Sequence, residues 1–486
     1  MRAWSARSRS GWAIIGWGLA FLAAGCAGPP PFRGSVLIIT ADALRPDYMS
    51  LNGYDRPTTP FLDSLIARGW YFEQATAPVP HTTPALASLL TGAYPHTTGV
   101  LTLTDRLDED VTTLAELMRG RGYQTLAVLT NTLLVKERHL DRGFLVYDAA
   151  SDYRLAESTT NAALRRFAQA DPNLPVLAWI HYIDPHVPYQ TDPNIARAMD
   201  PGYEGRFQLN FGWNGYNRAP KHSLTAFPED YPKRRAVHMN DLPEEVNAHI
   251  RRLYAADILA MDAQIARLVS AFRDRFGEEI LIVFTADHGE SLGEHDYYYD
   301  HGDYVYNAGV RVPLAFILPD SHPLSGSGRC AGWVSLVDVA PTLLDLMGVP
   351  APEEMASQME GVTLVDCLRG RPLPRRPVFM ESGEGYYPKM VRRRVRHDAA
   401  GRFRAVVEGD YKLIWTPFLP DEEAWELYHV TSDPGETLDL YDAELPVVAP
   451  MKAALRAWLA RGRSGGEGGA ISDQDTEALR SLGYIE

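Results

Sequence analysis

The sequence predicts an α/β fold with a mostly parallel sheet flanked by helices, followed by a small α+β subdomain that contains an antiparallel sheet. Four apolar runs rich in β-branched residues, typical of strands buried on both faces, alternate with stretches of helical periodicity. Beyond residue 374 the pattern changes to short strands around a Gly-Asp turn. The chain has 486 residues and is 45% hydrophobic, so it can bury a core of ordinary size.

Residues 1–32 are predicted to be an export signal and linker. Arginines within the first nine residues precede an uncharged, mostly apolar stretch that ends in Leu-Ala-Ala-Gly-Cys26. This resembles a lipoprotein signal with Cys26 as the lipidated residue; a cleaved signal with a free cysteine and an uncleaved anchor are the alternatives. We therefore expect an exported, membrane-anchored lipoprotein of a bacterial cell envelope that faces the periplasm or the exterior and meets the membrane only through this N-terminus.

Two further cysteines, Cys330 and Cys367, complete the three in the chain. They do not form a CxxC zinc or redox pattern. In an oxidising compartment they could pair, but sequence alone does not place two cysteines within bonding distance, so their state stays open.

The large domain is predicted to span residues 33–374. Its predicted strands are 35–40, 124–130, 175–182 and 279–285, and its predicted helices are 59–68, 84–91, 112–119 and 244–276. The aromatic-rich segment 191–247, without clear periodicity, is predicted to be a substrate lid or, alternatively, a structural loop.

The small C-terminal subdomain is predicted to span residues 375–463. It has a hairpin at 405–415 with its turn at Gly409 and Asp410, a strand at 425–430 and a helix at 447–459. Residues 464–486 are predicted to be a flexible segment and tail.

Polar side chains lie at or just beyond the end of each of the four predicted strands of the large domain. They are Asp42, Asn131, His181, Asp184, His186, Asp287 and His288. Because open parallel sheets bind ligands at the carboxyl ends of their strands, these positions predict one site built from distant segments. The alternative, ordinary solvated strand ends, stays open for each residue taken alone.

The net charge of −15 excludes general affinity for nucleic acid or an anionic membrane, since both would be repelled. An anionic substrate would therefore need a local positive centre.

A threonine pair marks a predicted helix start. We expect the helix to begin at Pro84 with Thr83 as its cap, which places the hydroxyls of Thr82 and Thr83 beside free backbone N–H groups. A hydroxyl activated there by a metal could attack an anionic ester. The alternative is that both threonines are only caps.

Asp287 and His288 end an apolar strand, and Asp42 ends another. Together with Thr82 they give a mixed oxygen and nitrogen set suited to Zn²⁺ or Mn²⁺.

Ordered sequence blocks carry a family resemblance. They are Asp42-Ala-Leu-Arg-Pro-Asp47, Tyr54-Asp-Arg-Pro-Thr-Thr-Pro-Phe-Leu62, Pro84-Ala-Leu-Ala-Ser-Leu-Leu-Thr-Gly-Ala-Tyr-Pro95, Asp184-Pro-His-Val-Pro-Tyr189, Asp287-His-Gly-Glu-Ser-Leu-Gly-Glu-His295, Arg311-Val-Pro313, Gly409-Asp-Tyr-Lys-Leu-Ile414, Glu426-Leu-Tyr428 and Asp433-Pro-Gly-Glu436. The chain resembles the sulfatase branch of the alkaline phosphatase superfamily. This resemblance implies an alkaline phosphatase/sulfatase-like sheet and hydrolysis of ester bonds.

The chain departs from the sulfatase pattern at its nucleophile. Sulfatases carry a Cys or Ser in a C/S-x-P-x-R motif that is oxidised to formylglycine, whereas the matching residues here are Thr82 and, in place of the motif's Arg, Leu86. No formylglycine is expected, because Thr cannot give that aldehyde. The resemblance then points to superfamily members that use a Thr alkoxide, with Thr82 as the nucleophile.

The resemblance also implies roles for other residues. Sulfatases have a second Asp where Ala43 stands and an Asn where His288 stands, and fewer carboxylates with one imidazole favour Mn²⁺ or Zn²⁺ over Ca²⁺. Two-zinc relatives have a His four residues after an Asp, whereas Pro188 stands four residues after Asp184, so we expect one divalent metal. Its predicted ligands are Asp42, Thr82, Asp287 and His288. His186 would bind the transferring group or protonate the leaving oxygen. Candidate substrate-binding residues are His301, His181, Asn131 and Arg45, although a surface salt bridge is an equal alternative for Arg45.

The leading prediction is a metal-dependent hydrolase of phosphate (or sulfate) esters that forms a covalent intermediate on Thr82. Its substrate would be a small anionic ester or an ester-bearing glycan or lipid, with no nucleic-acid partner. The alternatives are a sulfuric ester hydrolase, a transferase that hands a phosphoryl group to an envelope glycan or lipid, and a non-catalytic binding protein.

Overall fold

The computed structural model describes residues 32–149, 154–189, 191–204, 243–385, 402–416, 419–420 and 424–461. The predicted lipidation site Cys26, most of the predicted lid and the predicted tail lie outside these described residues. Within them, no helix is both long enough and apolar enough to cross a membrane.

The strands are short and follow the apolar runs of the sequence. In chain order they are β1 (Ser35–Ala41), β2 (Trp70–Thr76), β3 (Gln124–Leu129), β4 (Val146–Ala149), β5 (Val176–Tyr182), β6 (Ile280–Ala286), β7 (Ser291–Leu292), β8 (Tyr298–Asp300), β9 (Arg311–Val312), β10 (Leu314–Ile317), β11 (Gly328–Ser335), β12 (Val378–Gly385), β13 (Arg402–Glu408), β14 (Tyr411–Trp415) and β15 (Trp425–His429).

The helices range from a single turn to 33 residues. They are α1 (Pro60–Ile66), α2 (Thr82–Thr91), α3 (Pro95–Thr98), α4 (Leu114–Gly120), α5 (Ala156–Gln169), α6 (Pro193–Met199), α7 (Glu244–Phe276), α8 (Asn307–Val310), α9 (Val339–Leu346), α10 (Glu353–Gln358), α11 (Val365–Leu368) and α12 (Val448–Leu459). The predicted helix 244–276 is observed with the same bounds, while α6 lies in the segment for which no periodicity was found.

The large sheet has the strand order β11-β2-β10-β6-β1-β5-β3-β4, with β9 beside β2. The four predicted strands are its contiguous centre, β6-β1-β5-β3, and all of their pairings are parallel. Every residue of β1, β5 and β6 is buried, as a strand covered on both faces requires. The prediction of a mostly parallel α/β sheet is confirmed.

Helices cover this sheet in two packed groups. Helix α7 packs against α1, α5 and α6, and α2 packs against α3, α4 and α9. Their buried faces belong to one hydrophobic core shared with the central strands. Each fully buried Leu, Ile or Phe in that core contributes roughly 1.5–3 kcal/mol.

The C-terminal subdomain contains the predicted antiparallel sheet, with the order β12-β13-β14-β15. The β13–β14 hairpin turns at Gly409, whose φ of +62° lies in the left-handed region that glycine adopts without strain. Helix α12 packs on β13 and β14 and buries Trp458 among the aromatic residues of this second core.

The outer strands of the large sheet were not predicted. β2 contains polar residues among its apolar ones, and β10 has only four residues, so neither sequence shows a clear strand pattern by itself. Both depend on pairing with sequence-distant strands. Near β11, Cys330 and Cys367 form a disulfide with their Cα atoms 6.0 Å apart, which answers the open question about these cysteines.

Candidate functional site

The polar residues that follow the central strands converge at one edge of the large sheet. Asp42 follows β1, Asn131 follows β3, His181 lies in β5, and Asp287 and His288 follow β6. All five are at most 1% exposed. The carboxyl ends of neighbouring parallel strands meet at this edge, so residues far apart in sequence share one buried pocket.

Thr82 is the first residue of α2. The sequence pattern predicts a position just before the helix. The helix therefore starts two residues earlier than Pro84. Proline is accommodated in this first turn because the first four N–H groups of a helix have no intrahelical acceptor. Thr83 does not cap the helix, since its hydroxyl donates to Leu103 O at 2.9 Å. Thr82 thus remains the threonine whose hydroxyl faces the polar cluster.

The hydroxyl of Thr82 lies between three polar groups. Its Oγ1 is 3.5 Å from Asp42 Oδ2, 3.4 Å from His288 Nε2 and 3.4 Å from Asn131 Nδ2. Thr82 is fully buried at the N-terminal end of a ten-residue helix, where the helix dipole favours negative charge. An alkoxide or a transferred anionic group at this oxygen would be stabilised.

Two carboxylates and a histidine form a cluster with the spacing of a metal site. Asp42, His181 and Asp287 each place one ligand atom within 4.8 Å of the others. Among the described residues, Asp42 Oδ1 and Asp287 Oδ2 have no hydrogen-bond donor although both atoms are buried. Buried carboxylate oxygens without donors are costly unless a cation binds them, so this donor set fits a divalent metal.

His288 borders the same cluster. Its Nε2 lies 3.4 Å from Asp42 Oδ1 and 3.6 Å from Asp287 Oδ2. Its Nδ1 lies 2.9 Å from Gly289 O, an acceptor that assigns the ring proton to Nδ1. Nε2 is the ring atom that faces both Thr82 and the carboxylates.

The amide of Asn131 is held in one orientation. Its Oδ1 accepts from Leu133 N at 2.9 Å, so its Nδ2 is the end that donates to Asp42 Oδ2, also at 2.9 Å. Asn131, predicted to bind substrate, thus contacts the predicted nucleophile and a carboxylate of the cluster directly.

Histidines form the other wall of the pocket. The His301 ring stacks on His288 with centroids 4.2 Å apart and lies 5.0 Å from the ring of His186. Its Nδ1 is 3.1 Å from Glu290 Oε1. This carboxyl group fixes the orientation of His301, one of the predicted substrate-binding residues. The Nδ1 of His186 is in contact with Val187 O.

Burial and neighbouring charges set the protonation of these groups. Burial raises the pKa of Glu290 and that of Asp184 to about 7 each. Burial, together with the charge of Asp42, also raises the pKa of Asp287 well above its usual value. Burial opposes ionisation of Asp42 as well, but the neighbouring histidines outweigh it, led by His186, so the pKa of Asp42 lies well below its usual value.

Two further histidines of the pocket, His81 and His301, are neutral near pH 7. Burial, reinforced by neighbouring histidines, lowers the pKa of both His81 and His301 well below the usual value. A neutral imidazole can accept a proton or donate a hydrogen bond without adding charge to the pocket.

Arg45 lies beside the pocket in ion pairs. Its guanidinium is 2.7 Å from a carboxylate oxygen of Asp47 and 2.7 Å from one of Glu294, and it donates to Glu290 O at 3.0 Å. Arg45 itself is buried, so these are not ordinary surface salt bridges, and its contact with substrate stays a prediction.

The prediction from sequence assigned no role to two residues that line the pocket, Glu290 and His81. Glu290 lies inside the block Asp287–His295 that carries the family resemblance, and His81 directly precedes Thr82. These positions are the signal that could have identified them.

Comparisons with known proteins bear on this geometry. The family model described as Sulfatase matches residues 35–349, which include every strand of the large sheet. The chain belongs to the sulfatase family. A second model, the C-terminal region of N-sulphoglucosamine sulphohydrolase, matches residues 293–463. Family membership makes the chain an ester-bond hydrolase of the alkaline phosphatase superfamily.

Individual relatives are distant but nearly full length. The chain is 24% identical to an N-acetylglucosamine-6-O-sulfatase of Bacteroides thetaiotaomicron, over 86% of this chain and 85% of the relative. A solved structure described as a complex with its substrate D-glucosamine-2-N,6-O-disulfate has a TM-score of 0.68 at 22% identity and covers 88% of this chain and 97% of its own. A phosphonate monoester hydrolase of Agrobacterium radiobacter has a TM-score of 0.65 at 21% identity, covering 91% and 98%.

Proposed function

We propose that this sulfatase-family protein is a metal-dependent hydrolase of phosphate or phosphonate esters that uses Thr82 as its nucleophile. The observation that carries the proposal is the position of Thr82 Oγ1, at the start of α2 and within 3.5 Å of Asp42 and His288. A threonine side chain cannot be oxidised to an aldehyde, so the hydroxyl itself is the attacking group. The phosphonate monoester hydrolase among the structural neighbours supports a phosphorus-centred substrate.

The metal would be held by Asp42, His181 and Asp287, with His288 and Thr82 at its edge. Two carboxylates with imidazole nitrogen favour Mn²⁺ or Zn²⁺ over Ca²⁺, which prefers an all-oxygen set. When bound, such an ion lowers the pKa of a nearby hydroxyl and neutralises charge on the substrate oxygens.

The residues of the chain divide the chemistry between them. Thr82 Oγ1 attacks phosphorus, and the bond from phosphorus to the leaving oxygen breaks. Asp42 Oδ2 and His288 Nε2 are the acceptors available for the hydroxyl proton, and His186 supplies a proton to the leaving oxygen. Water then attacks the phosphothreonine, the bond from phosphorus to Thr82 Oγ1 breaks, and inorganic phosphate or phosphonate leaves. His186 takes up a proton from that water, and the group that accepted the hydroxyl proton returns it to Oγ1.

Hydrolysis of matched aryl esters tests this proposal. Purified protein loaded with Mn²⁺ or Zn²⁺ is assayed on an aryl phosphate monoester, an aryl phosphate diester, an aryl phosphonate and an aryl sulfate, alongside Thr82→Ala. We expect turnover of phosphorus esters that Thr82→Ala abolishes, and a phosphoryl group on the peptide that contains Thr82 after an acid quench. Ester hydrolysis that survives in Thr82→Ala would refute the mechanism.

Sulfate ester hydrolysis is the second candidate, since the N-acetylglucosamine-6-O-sulfatase supports it. The aryl sulfate in the same assay decides between the two. Transfer to a glycan or lipid acceptor, the third possibility, predicts that adding an alcohol acceptor raises turnover. Absence of both stoichiometric metal and turnover would instead favour a non-catalytic binding protein.

We also propose export to the cell envelope, with Cys26 as the lipidated residue. The Cys330–Cys367 disulfide supports this location, because disulfides persist in oxidising compartments. Labelling with a radioactive fatty acid, compared between the native chain and Cys26→Ser, tests it: equal labelling of the two would refute lipidation at Cys26.

A further inference from the structure

A buried arginine of the C-terminal sheet has guanidinium donors that no group in the described part of the chain accepts from. Arg402, the first residue of β13, is 0% exposed. Its Nη2 donates to Leu101 O, and its Nη1 is 3.6 Å from Glu381 Oε1. Among the described residues, neither Nε nor Nη1 has a hydrogen-bond acceptor. Buried charged donors without acceptors are destabilising, which points to a ligand that accepts from them.

The acidic neighbour of Arg402 is shared with a second arginine. Glu381 faces two guanidinium groups, that of Arg402 at 3.6 Å and that of Arg404 at 3.2 Å, and the three side chains are at most 6% exposed. The contact with Arg402 is the longer of the two and is not a hydrogen bond. An anion beside Arg402 could accept from the guanidinium atoms that Glu381 does not reach.

Backbone packing places Arg402 next to the start of α2. Arg402 pairs in register with Gly385 of β12, and Gly383 of the same strand lies against the imidazole of His81. A Cβ at Gly383 would come within 2.0 Å of His81 Nδ1, so only glycine permits this approach. His81 immediately precedes Thr82, and the charge of Arg402 is among those that lower the pKa of His81.

We propose that Arg402 is an oxyanion-binding residue of the candidate site, donating from Nε and Nη1 to an oxyanion of the ester substrate. This rests on the proposed function. Arg45 differs, because the carboxylates of Asp47 and Glu294 and the Glu290 carbonyl already accept from its guanidinium. The planar fork of a guanidinium matches the paired oxygens of a phosphoryl, sulfuryl or carboxylate group.

Two sources can supply that oxyanion, the transferring group or a second acidic group in the organic part of the substrate. Steady-state kinetics with phenyl phosphate and with carboxyphenyl phosphate separate them. Arg402→Met is compared with Arg404→Met. The control removes one positive charge from the same strand, and that charge also lies beside Glu381. Arg402→Lys retains the charge without the fork, and thermal melting confirms that each variant is folded.

We expect kcat/KM of Arg402→Met to fall roughly tenfold or more, as for the loss of a hydrogen bond to a charged group, while Arg404→Met stays within about threefold. Arg402→Lys should give an intermediate loss. A fall for both substrates assigns the oxyanion to the transferring group, and a fall for carboxyphenyl phosphate alone assigns it to the second acidic group. Equal values for folded Arg402→Met, Arg404→Met and the native chain would overturn the inference.

Calorimetric titration separates this inference from the proposed function. Inorganic phosphate and carboxyphenyl phosphate are titrated into the native chain and into Arg402→Met. If the native chain hydrolyses neither ester, the proposed function fails, while weaker binding of either ligand by Arg402→Met still supports the inference. Unchanged affinity for both ligands would overturn the inference even when turnover is normal.

Discussion

Two buried polar clusters of this protein differ in how their charges are paired. In the first, the candidate site, oxygen atoms of Asp42 and Asp287 have no donor among the described residues. In the second, which we call the seam cluster, Lys412 of β14 lies 2.7 Å from Glu436 and 3.2 Å from Asn307 Oδ1. Asn307, at the start of α8, also donates to Glu436 and to Pro434 O, closing the cluster.

This difference in charge pairing indicates that the first cluster is a binding site and the second a structural contact between elements. The seam cluster joins α8 to the C-terminal sheet. Its buried ammonium and carboxylate groups pair with each other, so it offers little to a charged ligand. The candidate site concentrates carboxylate and imidazole groups, which favours a cation and then an anionic substrate. Substitutions in the first cluster should therefore change activity, and substitutions in the second should change stability.

The largest expected effect comes from a substitution that inactivates the candidate site and leaves the fold intact. Thr82→Val should lower kcat/KM about 10⁴-fold, or about 5 kcal/mol of transition-state stabilisation, because it removes the nucleophile with little change of shape. Thr83→Val is the matched control, since among the described residues the Thr83 hydroxyl binds only the Leu103 carbonyl. This substitution should cost about 1 kcal/mol of stability with little loss of activity. Comparable losses of activity in the two variants would contradict the assignment of Thr82.

The next effect breaks the seam cluster. Lys412→Met should reduce the free energy of unfolding by about 3–5 kcal/mol, because it leaves the buried carboxylate of Glu436 without its cation. Urea unfolding measures this, and the double variant Lys412→Met/Glu436→Gln should recover part of the loss. An unfolding free energy like that of the native chain would show that the seam cluster is not a structural joint.

A smaller effect is the pH dependence of stability that Glu290 gives the candidate site. The pKa of Glu290 is about 7 in the folded chain, above its unfolded value of 4.5, so its contribution to stability is complete below pH 4.5 and is lost as the pH rises through 7. The loss is about 3 kcal/mol. Glu290→Gln cannot ionise, so metal-stripped Glu290→Gln should show a flatter decline between pH 4.5 and 7. Parallel stability curves for the two proteins would contradict the buried, protonated state of Glu290.

The smallest effect concerns the unpaired oxygens of the candidate site. Asp287→Asn keeps the oxygen that accepts from Ala43 N and His288 N and removes one carboxylate from the pair with Asp42. We expect metal-stripped Asp287→Asn to be about 1–2 kcal/mol more stable than the native chain. It should also lose the increase in melting temperature that saturating Mn²⁺ or Zn²⁺ gives the native chain. An equal metal-induced increase in both proteins would exclude Asp287 as a ligand.

Much of the fold follows from local sequence patterns. The predicted bounds of helix α7 agree with the structure to the residue, because its apolar residues recur at helical spacing. Those of the central strands agree to within one or two residues, because burial on both faces produces continuous apolar runs. Strands β2 and β10 escaped prediction because their short or mixed sequences become strands only by pairing with each other and with β6 and β11.

The candidate site divides in the same way. Sequence marked Asp42, Thr82, Asp287 and His288, because each adjoins a strand or helix end within a recognisable motif. It gave no sign that His181 Nε2 lies 3.3 Å from Asp42, or that Glu290 holds His301. Such contacts depend on strand order and on the rotamers that packing imposes.

By itself the sequence determined the order of the elements, the family resemblance and the identity of the group at the nucleophile position. Only the tertiary structure decided which carboxylate oxygens lack donors, which cysteines pair and that Arg402 lies beside the start of α2. The physical reason is range. Periodicity and capping act over a few residues, whereas charge balance and hydrogen-bond pairing are properties of groups brought together from the whole chain.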